Sequence, residues 1–215
     1  MLEFHISGRE FRRPVLGDIG IRFEPGESIC LLGPSGCGKT TLLNIIAGLD
    51  KGYLPPIWQG EIPTLAYLFQ QPRLLPWRTV LDNLLLVNPD QDLAVALLSE
   101  VGLAEVINEF PTRLSLGMAR RVALVRSLLL SPDLILMDEP LVSLDPVTAR
   151  QMRELVERLV VGNPQRHLLY VTHDLDEALQ IGDRILVLGG KPARIVSWFE
   201  KEHVERRMLE SALEA

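Results

Sequence analysis

The sequence predicts an α/β fold: a mostly parallel sheet covered by helices, with a small antiparallel β part and one inserted run of helices. Three observations predict it. Short apolar stretches alternate with helical periodicity along most of the chain, the pattern of parallel strands joined by crossover helices. One stretch, Leu134-Ile135-Leu136-Met137, is apolar without interruption, as expected of a strand buried on both faces. Between Gln70 and Leu130 the strand signals stop and helical spacing takes over. At 215 residues the chain suits a single domain. Its core is expected over about 1–70 and 131–215, with a helical subdomain over about 71–130.

Each element has a local reason. Leu2 to Ser7, Ile19 to Glu24 and Ser28 to Leu32 read as strands, the third entered through the Pro25-Gly26 turn. After Thr40 the spacing of Leu42, Leu43, Ile45 and Ile46 is helical, and Gly48 closes that helix. Leu65 to Phe69 is another short strand. Thr79 and Asp90 each start a helix, with Gly102 ending the second, and a third begins near Ser115 and runs through Leu130. Asp145-Pro146 is an N-cap and first-turn pair opening a helix to about Val161. Leu168 to Val171 is a strand, Asp174 to Ile181 a helix, and Ile185 to Leu188 with Arg194 to Val196 form a β-rich close. The tail from Trp198 to Leu213 is expected as a charged amphipathic helix.

Composition narrows the function. Hydrophobic residues make up 47% and charged residues 23%, an ordinary globular balance. A formal charge of −6 argues against a nucleic-acid partner, because phosphate backbones require a basic face. Cys30 and Cys37 are too close to staple distant elements, so a reducing cytoplasm is expected. No apolar stretch approaches the roughly 20 residues of a membrane-spanning helix, and Met1-Leu2-Glu3 opens no signal peptide. A soluble chain is expected, with any membrane role reached through a partner.

The chemistry starts at Gly33-Pro34-Ser35-Gly36-Cys37-Gly38-Lys39-Thr40, a complete G-x-x-x-x-G-K-T loop between a strand and a helix. Its glycines let successive N–H groups turn toward phosphate oxygens, and the helix N-terminus adds its dipole. Lys39 offers a point charge for β- and γ-phosphates, the Thr40 hydroxyl suits Mg²⁺, and Thr41 follows in the first turn. Cys37 reads as a small filler and Cys30 as core. Asp138 and Glu139 stand where an apolar strand ends, the place where ligands gather in open parallel sheets. Successive strand side chains point opposite ways, so Asp138 fits a Mg²⁺ shell while Glu139 fits a base orienting water. His173 and Gln70 occupy two further strand ends. Alone, either reads as structural; in this company His173 faces the γ-phosphate, and Gln70 is a metal or water ligand.

Taken together, these residues resemble the ATP-binding subunit of an ABC transporter over nearly the whole chain. Gly33 to Thr40 is similar to the Walker A motif and Leu134 to Glu139 to Walker B with its glutamate. Gln70 matches the Q-loop, Ser143-Leu144-Asp145 the D-loop and His173 the switch histidine. Leu114-Ser115-Leu116-Gly117-Met118 stands where the signature belongs. The resemblance implies a P-loop NTPase (RecA-like) core that uses ATP and Mg²⁺. Thr40, Gln70 and Asp138 would hold the metal, with Glu139, His173 and Gln70 at the reaction centre. Ser115, Gly117 and Asp145 would complete a nucleotide site across a head-to-tail dimer of two ATPase chains. Implied partners are integral membrane permease subunits and, indirectly, a periplasmic solute-binding protein. The chain itself would be cytoplasmic and peripheral to the membrane. Phe69-Gln70-Gln71-Pro72-Arg73-Leu74-Leu75-Pro76-Trp77 and Thr172 to Leu179 resemble the nitrate/sulfonate/taurine importer branch.

Three features depart from that family's pattern. Leu116 replaces the first glycine of the signature pair and Met118 its glutamine. A leucine there would crowd a phosphate or oppose a left-handed backbone, which predicts a working but slower enzyme. The interval from Lys39 to Gln70 is short, so the antiparallel part is expected to be trimmed, with Trp58 to Ile62 among the little that remains. Phe11 is the expected adenine-stacking aromatic. Alternative readings are a weakly hydrolysing regulatory subunit with Leu116 as its lesion, and a soluble ABC ATPase outside transport.

Overall fold

In the computed structural model, which describes residues 2–7, 15–50, 52 and 54–214, two sheets organise the chain. The larger has six strands in the order β5 (Leu65–Leu68), β6 (Leu134–Asp138), β7 (His167–Val171), β3 (Ser28–Leu32), β8 (Arg184–Gly189) and β9 (Arg194–Glu200). All neighbours run parallel except β8 and β9. The smaller sheet is antiparallel and places β1 (Leu2–Ile6) between β2 (Ile19–Phe23) and β4 (Ile57–Trp58).

The central strands are buried at every position, and their alternate residues feed two different cores. Ile29, Leu31, Leu134, Leu136, Leu169 and Val171 face one side. There they meet Leu42, Leu43, Ile45 and Ile46 of α1 (Lys39–Ile46) and the inner face of the small sheet. Cys30, Leu32, Ile135, Met137, Leu168 and Tyr170 face the other side. They pack on α4 (Leu116–Leu128), α5 (Pro146–Leu159), α6 (Leu175–Ile181) and α7 (Arg206–Glu214). Burial on both faces is why these strands read as unbroken apolar runs. It also leaves polar chemistry only at their ends.

Helices α2 (Val80–Leu85), α3 (Gln91–Glu100) and α4 share a third apolar cluster around Val80, Leu84, Leu98, Val122 and Val125. Thr79 caps α2 in a reciprocal capping box with Asp82, and Asp90 caps α3, as their sequence positions predict. Gly102 follows α3 with φ 71°, the left-handed stop expected of it.

Two expectations need correction. Trp198 lies within β9, which runs to Glu200; a 3-10 turn covers Lys201–His203, and only Arg206–Glu214 of the tail is α-helical. Trp198 and Glu200 are exposed members of this edge strand, whose exposure alternates from Arg194 to Glu200. Of the stretch around Trp58, only Ile57–Trp58 pairs, so the trimmed antiparallel part consists of two full strands and a two-residue edge. Among the described residues, no helix is long and apolar enough to cross a membrane.

Leu136 is fully buried in the middle of β6. Replacing it with alanine is expected to cost about 2–5 kcal/mol in urea unfolding. The same change at Ile62, 78% exposed, is expected to cost less than about 0.5 kcal/mol.

Candidate functional site

An open cleft of about 380 Å³ lies at the carboxyl edge of the large sheet, lined by Val15, Ser35, Gly36, Gly38, Lys39, Thr40, Thr41 and Glu139. The loop from Gly33 leaves β3 there and turns into α1, so the first turn of that helix points its N–H groups into the cleft. Gly38 caps α1 with φ 109°, and a side chain there would meet Leu16 Cδ2 at 2.8 Å and Val15 Cγ1 at 3.0 Å. Only glycine suits that turn. Cys37 fills space rather than reacting: its Sγ lies 2.9 Å from where a Cβ on Gly33 would stand. Cys30 is fully buried, and burial pushes its thiol far up.

Lys39 is buried and folded back onto its own loop, donating to Gly33 O at 2.7 Å and Pro34 O at 3.1 Å. An ammonium in that position has strong acceptors only in backbone carbonyls, a pairing an anion in the cleft would outcompete.

The alternation of β6 sends Leu134, Leu136 and Asp138 toward α1. Asp138 thereby meets Thr40, whose hydroxyl donates to Oδ2 at 2.9 Å and Oδ1 at 3.1 Å. Tyr67, one strand away on β5, adds its hydroxyl at 3.4 Å from Oδ2. Burial pushes the Asp138 carboxyl above its usual range, against the pull of the Thr40 hydrogen bond. Burial likewise raises the Tyr67 phenol, and the Asp138 charge raises it further. A hydroxyl and a carboxylate meeting at a helix N-terminus are hard oxygen donors, which fit a Mg²⁺ that keeps its remaining positions for water and phosphate oxygens.

Glu139 leaves the strand with φ 45°, a left-handed conformation uncommon outside glycine. Its N–H donates to Val171 O at 2.9 Å, tying the end of β6 to the end of β7. The side chain turns to the cleft wall, and its Oε2 lies 3.3 Å from His173 Nδ1. Because β7 sits between β6 and β3, His173 emerges between the carboxylates and the Gly33 loop.

The other expected site residues are placed differently. Gln70 is exposed and its carbonyl accepts from Arg120 Nη2 at 3.3 Å, while its side chain makes no hydrogen bond to Thr40 or Asp138. Arg126 reaches from α4 to Pro72 O and Arg73 O, each at 2.9 Å, so α4 holds the segment that follows Gln70. Ser115 caps α4 through the Met118 N–H at 3.2 Å. Asp145 caps α5 through the Val147 and Thr148 N–H groups; its carboxyl is held below the usual range first by the Thr148 side chain and then by these N–H groups. None of Ser115, Gly117 and Asp145 lines the cleft around Lys39. Phe11 lies outside the described residues.

Leu116 takes the first helical position of α4 without a left-handed backbone, and its side chain is exposed. The backbone objection to leucine therefore lapses. Gly117 is buried: a Cβ there would stand 2.3 Å from Thr148 Cγ2 and 3.9 Å from Leu144 Cδ2. Its absent side chain is explained by the packing of α4 on α5.

Sequence reasoning misses Tyr67, Val15 and the two arginines. Tyr67 has a findable signal, an aromatic on the same face of β5 that Asp138 takes on β6. Nothing in the sequence foreshadows carbonyl anchoring by Arg120 and Arg126.

A glycine-cornered loop at a helix N-terminus, with a lysine, a hydroxyl and carboxylates converging at parallel strand ends, defines the class: a P-loop nucleotide-binding domain. Comparison with known proteins specifies it further. A family model described as ABC transporter matches residues 16–142. A protein of Burkholderia lata called aliphatic sulfonates import ATP-binding protein SsuB 2 is 43% identical over 85% of this chain and 70% of its own. The SsuB 1 protein of Rhodococcus jostii is 47% identical over 81% of this chain and 73% of its own. A solved dimer of the ATP-binding cassette MJ0796 in a post-hydrolysis state with ADP and Pi superposes with a TM-score of 0.77. It is 26% identical and covers 94% of this chain and 99% of its own. The chain belongs to the ABC transporter family, as an ATP-binding subunit with ATPase activity.

Asp138→Asn is expected to raise the unfolding midpoint of the nucleotide-free protein at neutral pH. A carboxyl whose folded value is raised costs stability above that value and nothing once protonated in both states. The gain should therefore shrink as pH falls from the raised folded value toward the ordinary aspartate value of about 4, and vanish below it. Thermal unfolding from neutral to acidic pH checks it.

Proposed function

We propose that this chain is the ATP-driven motor of an importer for aliphatic sulfonates or closely similar small anions. The observation that carries the reading is the convergence of Lys39, Thr40, Asp138, Glu139 and His173 at one carboxyl edge. The names of the relatives support the solute class. In this reading the core spans about 1–70 and 131–215 and the helical subdomain about 71–130.

Lys39 and the amides from Gly33 to Thr41 hold the triphosphate, with Lys39 exchanging its loop carbonyls for phosphate oxygens. Thr40 and Asp138, joined by Gln70, hold Mg²⁺, which when bound neutralises charge on the phosphate oxygens. Glu139 accepts a hydrogen bond from the attacking water and orients it. The contact with His173 keeps the Glu139 carboxylate at the cleft wall, and the imidazole also faces the terminal phosphate. Phe11 is the proposed stacking partner of adenine.

The face carrying Ser115, Gly117 and Asp145 is proposed to complete the nucleotide site of a second, identical chain, head to tail. The dimeric form of the structural relative supports this arrangement. Permease subunits in the membrane and a periplasmic solute-binding protein are the remaining proposed partners, which places this chain at the inner membrane surface. A regulatory subunit that hydrolyses weakly is disfavoured, since Leu116 imposes no backbone strain.

Glu139→Gln is expected to lower steady-state ATP turnover by at least about 10²-fold while nucleotide-dependent dimers persist in gel filtration. Turnover near wild type would remove Glu139 from its role. In vesicles with the permease subunits, ATP hydrolysis should rise with an aliphatic sulfonate and its binding protein. A response to unrelated solutes instead would overturn the solute class.

A further inference from the structure

Glu177 is a carboxylate that the nucleotide site does not use, yet its surroundings are unusually well ordered. It sits in the first turn of α6 and is partly buried. Its Oε2 accepts two hydroxyl hydrogen bonds, from Tyr170 at 3.0 Å and from Thr172 at 2.8 Å. Tyr170 is fully buried and Thr172 nearly so. Burial pushes the Glu177 carboxyl upward, while the two hydroxyls pull it back. Keeping a carboxylate there works against stability unless the hydrogen bonds hold something in place.

What they hold is the chain on either side of His173. Thr172 Oγ1, while donating to Glu177, accepts the Asp174 N–H at 3.0 Å. Asp174 in turn caps α6 through the N–H groups of Asp176 at 2.8 Å and Glu177 at 3.0 Å. The Thr172 N–H donates to Leu31 O at 3.3 Å, and Val171 O accepts from Glu139. Both neighbours of His173 are therefore tied down, while its own side chain is 56% exposed and, among the described residues, reaches Glu139 alone. An exposed imidazole loses conformational freedom when it is fixed beside a carboxylate, so its direction must come from the backbone that carries it.

We infer that Glu177 is a positioning residue: acting through Thr172, it sets the main chain at His173 so that the imidazole meets Glu139 at the reaction centre. The inference rests on the proposed role of His173. It goes beyond that role by assigning the geometry to a partly buried carboxylate on the following helix. Tyr170 shares the task through its own hydrogen bond to the same oxygen, Glu177 Oε2, at 3.0 Å.

Steady-state hydrolysis of MgATP by the full chain tests it, with Glu177→Ala, Thr172→Val, Thr172→Ser and His173→Ala as single changes. Glu177→Ala is also combined with His173→Ala. Misplacing a reacting group by about 1 Å costs on the order of 10²-fold, so Glu177→Ala and Thr172→Val should lower kcat by about 10–100-fold. KM for ATP should stay within about threefold, because the phosphate loop is untouched, and Thr172→Ser should recover most of kcat. The double variant should be no slower than His173→Ala alone by more than about twofold, since both act through one group. Losses that multiply in the double variant would mean a structural role and overturn the inference. So would a kcat for Glu177→Ala within about twofold of wild type. If His173→Ala itself turns over normally, the role of His173 and this inference fall together. If it does not while Thr172→Val does, only this inference falls. Should Glu177→Ala not fold, the Thr172→Val and Thr172→Ser pair, each combined with His173→Ala, separates the same two outcomes.

Discussion

Strands β3, β6 and β7 are covered on both faces, so a charged side chain placed along any of them would enter an apolar core with no water and no partner. Such a group costs several kcal/mol or loses its charge. The sheet can therefore carry polar chemistry only where the strands stop, and the cleft's polar groups stand at such stops or in the loop and first helical turn that follow one. Gly33 follows Leu32, Asp138 and Glu139 terminate β6, and His173 follows β7 by two residues. The strand order brings these ends side by side. Pairing alone fixes their spacing, which is why residues over a hundred positions apart in sequence meet without a dedicated scaffold.

Alternation then assigns the roles. Asp138 continues the face of Leu134 and Leu136 and so meets Thr40 at the head of α1. Glu139 would continue the opposite face, toward the helices that cover Met137. It escapes that core by adopting a left-handed backbone, with φ 45°, and turns into the cleft instead. A non-glycine residue held there costs on the order of 1–3 kcal/mol. The hydrogen bond from its N–H to Val171 O offsets part of that cost and makes the orientation reproducible. Desolvation of Asp138 and strain at Glu139 both weaken the resting fold at the place where the domain handles charge.

Much of this is legible in the sequence, for physical reasons. Leu134 to Met137 could only be a doubly buried strand, and Thr79, Asp90, Ser115 and Asp145 each cap the helix they precede because a short polar side chain satisfies the first free N–H groups. Trp198 reads wrongly as helical because the charged run that begins at Glu200 continues from the edge strand into the short tail helix. The sequence places the side chain of Gln70 beside the metal-binding pair, but strand position fixes only its backbone. Long-range anchors such as Arg126 leave no local signature, since a carbonyl acceptor can be any residue. Glu177 is visible as an acid in the first turn of α6, where attraction to the helix N-terminus already accounts for it, and that hides its second set of partners.

The signature segment shows how a departure from a family pattern changes meaning once packing is known. In sequence, Leu116 looks like damage and Gly117 like the glycine spared for a phosphate. In the fold, a Cβ at Gly117 would collide with the Thr148 methyl of its own chain, so a larger residue there must displace that side chain from the contact of α4 with α5. Leu116 projects outward from the first turn of α4, and the neighbouring α5 presents Val147, 66% exposed, at its own first turn. The residue that remains glycine is thus the one packed against α5, and the residue that differs is the one facing outward. Substituting Leu116 then alters what an approaching surface meets without disturbing the Ser115 cap. The direction in which α4 offers its N-terminus is set by its seat on α5 and by Arg120 and Arg126 at the segment after Gln70.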